Sequence, residues 1–384
     1  MVEMLSSFVG MKYVMMACGA SHMHYTTGSS QMYKEGLRYY CRAVSEVTHA
    51  LSETDWSQGD FNDGVLWTIM LLYVHGVSSS RDIRSLRMML KRTRLTVEYQ
   101  VYSIETNRDI AKHVEGAAQM VKLRMARSSG PRMLRATDRI MWESILYQSF
   151  RQAVNRPFVV DFQPDSEFCT IAENILQSLT FPDLSPGENS PIIGLPLRLP
   201  KFIIEIVQLC KSPYPSDAEA LQRLKSEMNE WERAILEEGH CSKESDWPSA
   251  ISERCRLFNL HSMSLHVLAA SLLLEWVSKA QEVLDEPPRS PRSPKPSAGD
   301  SWQLRRGLEI LRCPHASKEW TRCFLGSWPT LIFGYAVDTP EDAAFLRGEL
   351  ERRFYQLYSG EEILFMDELE SVWRMKGLWG EDVE

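Results

Sequence analysis

Ser327-Trp328-Pro329-Thr330-Leu331-Ile332-Phe333-Gly334-Tyr335-Ala336-Val337-Asp338-Thr339-Pro340-Glu341-Asp342 joins two kinds of helix. An apolar run extends to Val337 and stops. Thr339 then stands where an N-cap hydroxyl is needed. Pro340 takes the first helical position, where its missing N–H costs nothing, and Glu341 and Asp342 meet the positive end of the helix dipole. Phe345, Leu346, Leu350, Phe354 and Leu357 follow at a spacing that puts them on one helical face. A buried helix passing through a cap into an amphipathic one is a joint of a helical array.

The rest of the chain repeats that logic. Phe8 to His24 is mostly apolar and reads as a buried helix. Tyr33, Leu37, Tyr40, Val44, Val47 and Leu51 recur in alternating steps of four and three, the mark of an amphipathic helix. Val65 to Val74 is apolar nearly all round, so that helix should be central. Ile110, Val114, Ala117 and Val121 mark the next, with Gly116 expected to permit a close helix approach. Asp138 to Ala153 turns Ile140, Met141, Ile145 and Phe150 inward, and a short helix is expected near Ile171 to Leu179. Further helices carry Phe202 to Cys210, Asp217 to Leu236 and the strongly apolar Glu253 to Val277, and helices resume from Ser301 to Trp373. Almost no segment alternates with period two. The expected fold is all-α: packed amphipathic and buried helices forming one helical domain over residues 1–384. A basic, proline-rich stretch from Glu286 to Pro296 cannot pack and predicts a mobile loop at about 285–300.

Composition bounds the function. The 384 residues are 44% apolar and 24% charged, those of an ordinary globular chain. The net charge of −8 opposes broad nonspecific nucleic-acid binding, which rests on neutralising phosphates. Eight scattered cysteines form no CxxC pair, giving neither a disulfide framework nor a zinc site, and point to a reducing compartment. The N-terminus lacks the basic start and cleavage site of a secretory signal. No run reaches the ~18 uninterrupted apolar residues of a membrane span; the longest, Val267 to Val277, is shorter and contains Glu275.

Candidate chemistry is sparse. His22 and His24 sit two apart on a helix and face different ways, which suits core or helix-end histidines better than joint metal ligands. His113 lies near a core stripe and reads as packing. Cys313, His315 and Cys323 could supply three metal ligands but have no matching fourth. The acids from Asp338 to Asp342 are explained by capping, and Asp367, Glu368 and Glu370 read as a solvated helix face. Phosphate loops and hydrolase or metalloprotease motifs are absent, so no catalytic residue, metal or cofactor is assigned. Arg84, Arg87, Lys91, Arg92 and Arg94 form a basic face, either solvated surface or a contact for an acidic partner. Ser290 and Ser293, each followed by proline in the basic loop, are candidate phosphorylation sites. The wealth of Met, Trp and Phe serves a core first, with a pocket for a small hydrophobic ligand as the alternative.

Several strings, in order, resemble the fungal-specific transcription factor domain, the helical regulatory region that follows a zinc binuclear cluster in fungal regulators. Met15-Met16-Ala17-Cys18-Gly19-Ala20-Ser21-His22 is similar to its opening helix, and Leu37-Arg38-Tyr39-Tyr40-Cys41-Arg42-Ala43-Val44 to its second. His113-Val114-Glu115-Gly116-Ala117-Ala118 resembles its His-x-x-Gly-Ala signature. Ile145-Leu146-Tyr147-Gln148, Pro191-Ile192-Ile193-Gly194-Leu195-Pro196, Trp328 to Ala336, and Leu369-Glu370-Ser371-Val372-Trp373 follow in register. The resemblance implies a regulator of a fungal specialised-metabolite or stress pathway, working in the nucleus through protein contacts, with the cytoplasm as the alternative location. DNA-binding members carry six clustered cysteines holding two zincs. The cysteines here lack that spacing, so direct specific DNA binding is not expected. The expected partner is a DNA-binding zinc-cluster regulator or a second copy, with no membrane involved. The alternative reading reuses the fold as a biosynthetic enzyme or binding protein for a hydrophobic intermediate.

Overall fold

The computed structural model describes residues 8–53, 62–79, 111–123, 125, 136–159, 163–178, 189–190, 192–212, 217–238, 251–282, 301–313, 320, 323–357 and 360–379. Among them the secondary structure is helical, without a strand, as the missing period-two alternation predicts. The chain sorts into two compact units. The first comprises residues 1–149, 164–180 and 358–360, and the second 150–163, 181–357 and 361–384.

In the first unit, α1 (Val9–Thr27) packs on α2 (Ser30–Glu53) and α3 (Asp63–Ser79). Met11, Val14, Ala17 and Ala20 form the buried line of α1. A Cβ on Gly36 of α2 would lie 3.0 Å from Ser21 Oγ, so this pair approaches closely. The helix ends where Gly28 adopts φ +70° and donates its N–H to the His24 carbonyl at 2.7 Å, a left-handed cap open to glycine. The expectation of a buried helix is corrected on one side: Val9, Met15, Met16 and Met23 are exposed on the opposite face. In α3, Val65, Leu66, Ile69, Met70 and Leu72 are all buried, in keeping with its near-continuous apolar character.

Helix α4 is described over 111–123, followed by α5 (Ala136–Val154) and α6 (Ser166–Leu176). The short helix expected near Ile171 begins earlier, because the Asp165 carboxylate accepts the Phe168 N–H at 3.0 Å and caps it at Ser166. Lys122 of α4 reaches the same carboxylate at 2.8 Å. Trp142 stacks on Phe168, ring centroids 5.8 Å apart, and so ties α5 to α6.

In the second unit the long helix α9 (Ile251–Glu282) is the hub. It touches α7 (Arg198–Lys211), α8 (Ala218–Glu238), α10 (Trp302–Arg312) and α11 (Ser327–Ala336). By length and hydropathy Arg256–Ala280 would suffice to cross a membrane; here Leu265, Val267, Leu268, Ala269, Ala270, Leu272, Leu273 and Leu274 are buried inside the unit. Helix α11, every residue of it buried, is the apolar run that ends before Thr339-Pro340. Thr339 then accepts the Asp342 N–H at 3.2 Å, and α12 (Pro340–Leu357) starts at Pro340 as its capping residues dictate. Leu346, Leu350 and Phe354 are buried along one face.

Helix α13 (Gly360–Met375) closes over α11. The Trp373 indole donates to the Gly334 carbonyl at 2.8 Å, and Lys376 Nζ donates to the carbonyls of Tyr335 and Val337 at 2.7 and 2.8 Å. A Cβ on Gly334 would lie 2.4 Å from a methyl of Leu369, itself buried. Gly116 is different. It is exposed and a Cβ there would meet nothing within 4 Å, so the expected close approach at Gly116 does not occur.

Two glycine substitutions should therefore move stability in opposite directions. Gly334→Ala has to displace a sealed leucine and should cost about 1–3 kcal/mol. Gly116→Ala removes only backbone entropy and should add about 0.5–1 kcal/mol. Chemical denaturation of both variants beside the parent checks the pair of signs.

Candidate functional site

The polar centre of the second unit is Arg353. Sequence reasoning did not select it, although its place between Leu350 and Phe354 puts it on the buried face of α12. Its guanidinium is sealed from water. Nη1 donates to the Trp320 carbonyl at 2.6 Å, and Nη2 to the Cys323 carbonyl at 2.5 Å and to Ser327 Oγ at 3.2 Å. Ser327 passes the contact on by donating to Glu362 Oε1 at 2.8 Å. Burial pushes the Glu362 carboxyl above its ordinary range, opposed by the Arg353 charge. Beside it, Arg151 clasps Glu361 through Nη2 at 2.8 Å and Nε at 3.4 Å. Gly326 lets the guanidinium in, since a Cβ there would lie 2.2 Å from Arg353 Nη1 and 2.6 Å from the Trp320 ring.

Five aromatic rings pack against this centre. His266 of α9 lies 5.8 Å from Trp328 in near-parallel stacking and 6.3 Å from Trp320 edge-on. Phe150 sits 6.1 Å from both His266 and Trp328, and Phe258 6.3 Å from Trp320. The Arg353 guanidinium covers the Trp320 ring at 5.8 Å. His266 Nδ1 is 2.8 Å from the Ser262 carbonyl. A carbonyl only accepts, so Nδ1 carries the proton and Nε2 is a bare acceptor. Burial, aided by the Arg353 charge, lowers the His266 pKa to about 4 despite the Ser262 bond, so the ring is neutral at pH 7. His266 Nε2, Trp320 Nε1 and Trp328 Nε1 are all buried without a hydrogen-bond partner. Each such group costs about 1–3 kcal/mol if left unmatched.

The residues singled out from sequence lie elsewhere. His24 sits at the end of α1 and donates to the Ser29 carbonyl at 2.8 Å, while His22 is exposed. His113 Nε2 shares a 3.0 Å hydrogen bond with the Tyr40 hydroxyl. Cys313 ends α10, and Cys323 Sγ accepts the Leu325 N–H at 3.3 Å, its thiol pKa raised by burial. Among the described residues no group of three or more His, Cys, Asp or Glu is placed to hold a metal. The solvated-face reading of Asp367, Glu368 and Glu370 is corrected. Glu370 is buried between Arg347 at 3.0 Å and Arg374 at 3.1 Å, and Glu368 accepts the Tyr335 hydroxyl while burial raises its pKa. Arg84, Arg87, Lys91, Arg92, Arg94, Ser290, Ser293, His315 and the proline-rich loop at about 285–300 lie outside the described residues.

Two variants read this centre. Arg353→Met takes the cation from Glu362 and a charged donor from the Trp320 and Cys323 carbonyls, and should cost about 3–5 kcal/mol, measured by denaturation. His266 titrates near 6.5 when unfolded and near 4 when folded, so the unfolded chain holds more protons between those values. Its contribution is full above pH 6.5 and is lost as pH falls toward 4, on the order of 3 kcal/mol. His266→Phe should remove that component, so that its urea midpoint falls less steeply over this window than the parent's.

The arrangement fixes structure and presents an internal donor–acceptor set. No curated protein and no solved structure matches the chain. The sequence pattern of the fungal specific transcription factor domain, by contrast, matches residues 2–382, nearly its whole length. The chain belongs to the fungal specific transcription factor domain family.

Proposed function

We propose that this chain is the regulatory region of a fungal transcriptional regulator, acting in the nucleus through protein contact with a DNA-binding zinc-cluster regulator. Family membership supports the regulator-like role. The observation that carries the contact is the outer face of α1. Val14 and Ala17 are 0% exposed on its inner side, whereas Val9, Met15, Met16 and Met23 are 49%, 40%, 45% and 52% exposed on the outer. Methionine is flexible and polarizable, the side chain suited to receiving a partner's apolar surface. Gly19 lies midway along that face with nothing within 4 Å of a Cβ, which leaves room for a second helix. The bordering charges are basic: Lys12 is exposed, and Arg42 lies over the Tyr13 ring at 5.6 Å. In a chain of net charge −8 that local sign favours an acidic amphipathic helix. The regulated pathway, specialised metabolism or stress, rests on the resemblance alone.

The test is affinity purification of the full chain from its own fungus, followed by native mass spectrometry. The parent should bring down a chain bearing a six-cysteine cluster with two zincs. Met16→Asp with Met23→Asp, both on an exposed face, should lower that recovery at least tenfold while the circular dichroism stays unchanged. A complex that survives the double substitution, or a chain recovered alone or only with copies of itself, refutes the proposal.

A further inference from the structure

His266 and the four rings grouped with it hold a combination of polar atoms that points to a ligand. Trp320 Nε1 and Trp328 Nε1 can only donate, and His266 Nε2, with Nδ1–H committed to Ser262, can only accept. All three are buried and unpartnered within one set of contacting rings. A carbonyl would answer the indoles and leave the imidazole unmatched. An ammonium would do the reverse and add a charge. A hydroxyl answers both, because its oxygen accepts an indole N–H while its proton goes to the imidazole. The neighbouring cation is already engaged: Arg353 Nη1 and Nη2 donate to Trp320, Cys323 and Ser327, and its charge faces Glu362, whose Oε1 lies 3.8 Å from Nε, so the site favours an uncharged group. The side chains grouped with these atoms are aromatic, which favours a flat apolar body. Phe258 is the half-buried ring of the five and marks the outer edge of the set.

We propose that Phe150, Phe258, His266, Trp320 and Trp328 bind a small uncharged phenol or aromatic alcohol, its hydroxyl bridging His266 Nε2 and an indole N–H. Binding at this site is independent of the partner contact at α1.

Phenol is the probe, with anisole, which keeps the ring and oxygen but lacks the donated proton, as its control. Added to the full chain at pH 7, phenol should quench tryptophan emission saturably and raise the thermal midpoint. Anisole should bind at least tenfold more weakly. His266→Phe should weaken phenol at least tenfold with the far-ultraviolet circular dichroism unchanged. Should that variant not fold, Trp328→Phe, which keeps a ring and loses the N–H, should give the same loss. Met16→Asp with Met23→Asp should leave phenol binding intact, which separates a failure here from a failure of the partner contact. The proposal is overturned by a parent insensitive to phenol, the result expected if a single water satisfies these atoms. Equal affinity for phenol and anisole, or undiminished binding in the folded variants, overturns it as well.

Discussion

Buried cations set on backbone carbonyls hold this structure together. Every α-helix leaves its last carbonyls without partners, and water answers them only at the surface. In each unit an arginine does it inside. Arg139 donates to the carbonyls of Leu176 and Ser178 at 3.1 and 2.7 Å, closing the end of α6, while its Nε holds Glu143 at 2.9 Å. Arg353 does the same for Trp320 and Cys323, and so fixes the turn that launches α11. Lys376 finishes the other end of α11 on Tyr335 and Val337, with burial lowering its pKa. A helix as apolar as α11 can be enclosed because Lys376 supplies donors at its C-terminal end and Arg353 holds the turn that leads into its start.

This arrangement explains what could be read in the chain and what could not. Apolar spacing is a local signal, and it placed α2, α3, α9, α11 and α12 and the joint at Thr339-Pro340. Capping is also local, yet Asp165 went unread and the start of α6 was misplaced by several residues. Arg353, Glu362 and Glu370 were out of reach for another reason. A charged residue is assigned to solvent by default, and only the three-dimensional partner shows that the charge has been enclosed. The trace they leave is positional: Arg353 falls in the Leu346, Leu350, Phe354 register, and Arg139 and Glu143 are four apart beside the buried Trp142 and Leu146. At α1 the reverse holds: an apolar run has the pattern of a core helix although one side of it is exposed.

The same logic divides the functional features. The α1 face was hidden by its own hydrophobicity, since a methionine-rich run looks like core until its neighbours are known. The His266 cluster was hidden because a histidine and two tryptophans far apart in sequence carry no motif. One is a surface with unspent apolar area, the other an interior with unspent hydrogen-bonding capacity. The proposed partner contact rests on the first and the proposed phenol site on the second.

The central claim is that the Arg353 anchor makes α11 the most firmly held part of the second unit. Native-state amide hydrogen exchange on the unmodified chain measures this directly. Peptides from 324–337 should be among the slowest to exchange and should open in step with 346–354 and 362–373. If 324–337 exchanged early while those flanking segments stayed protected, the anchor would not be what holds the unit, and the account would be wrong.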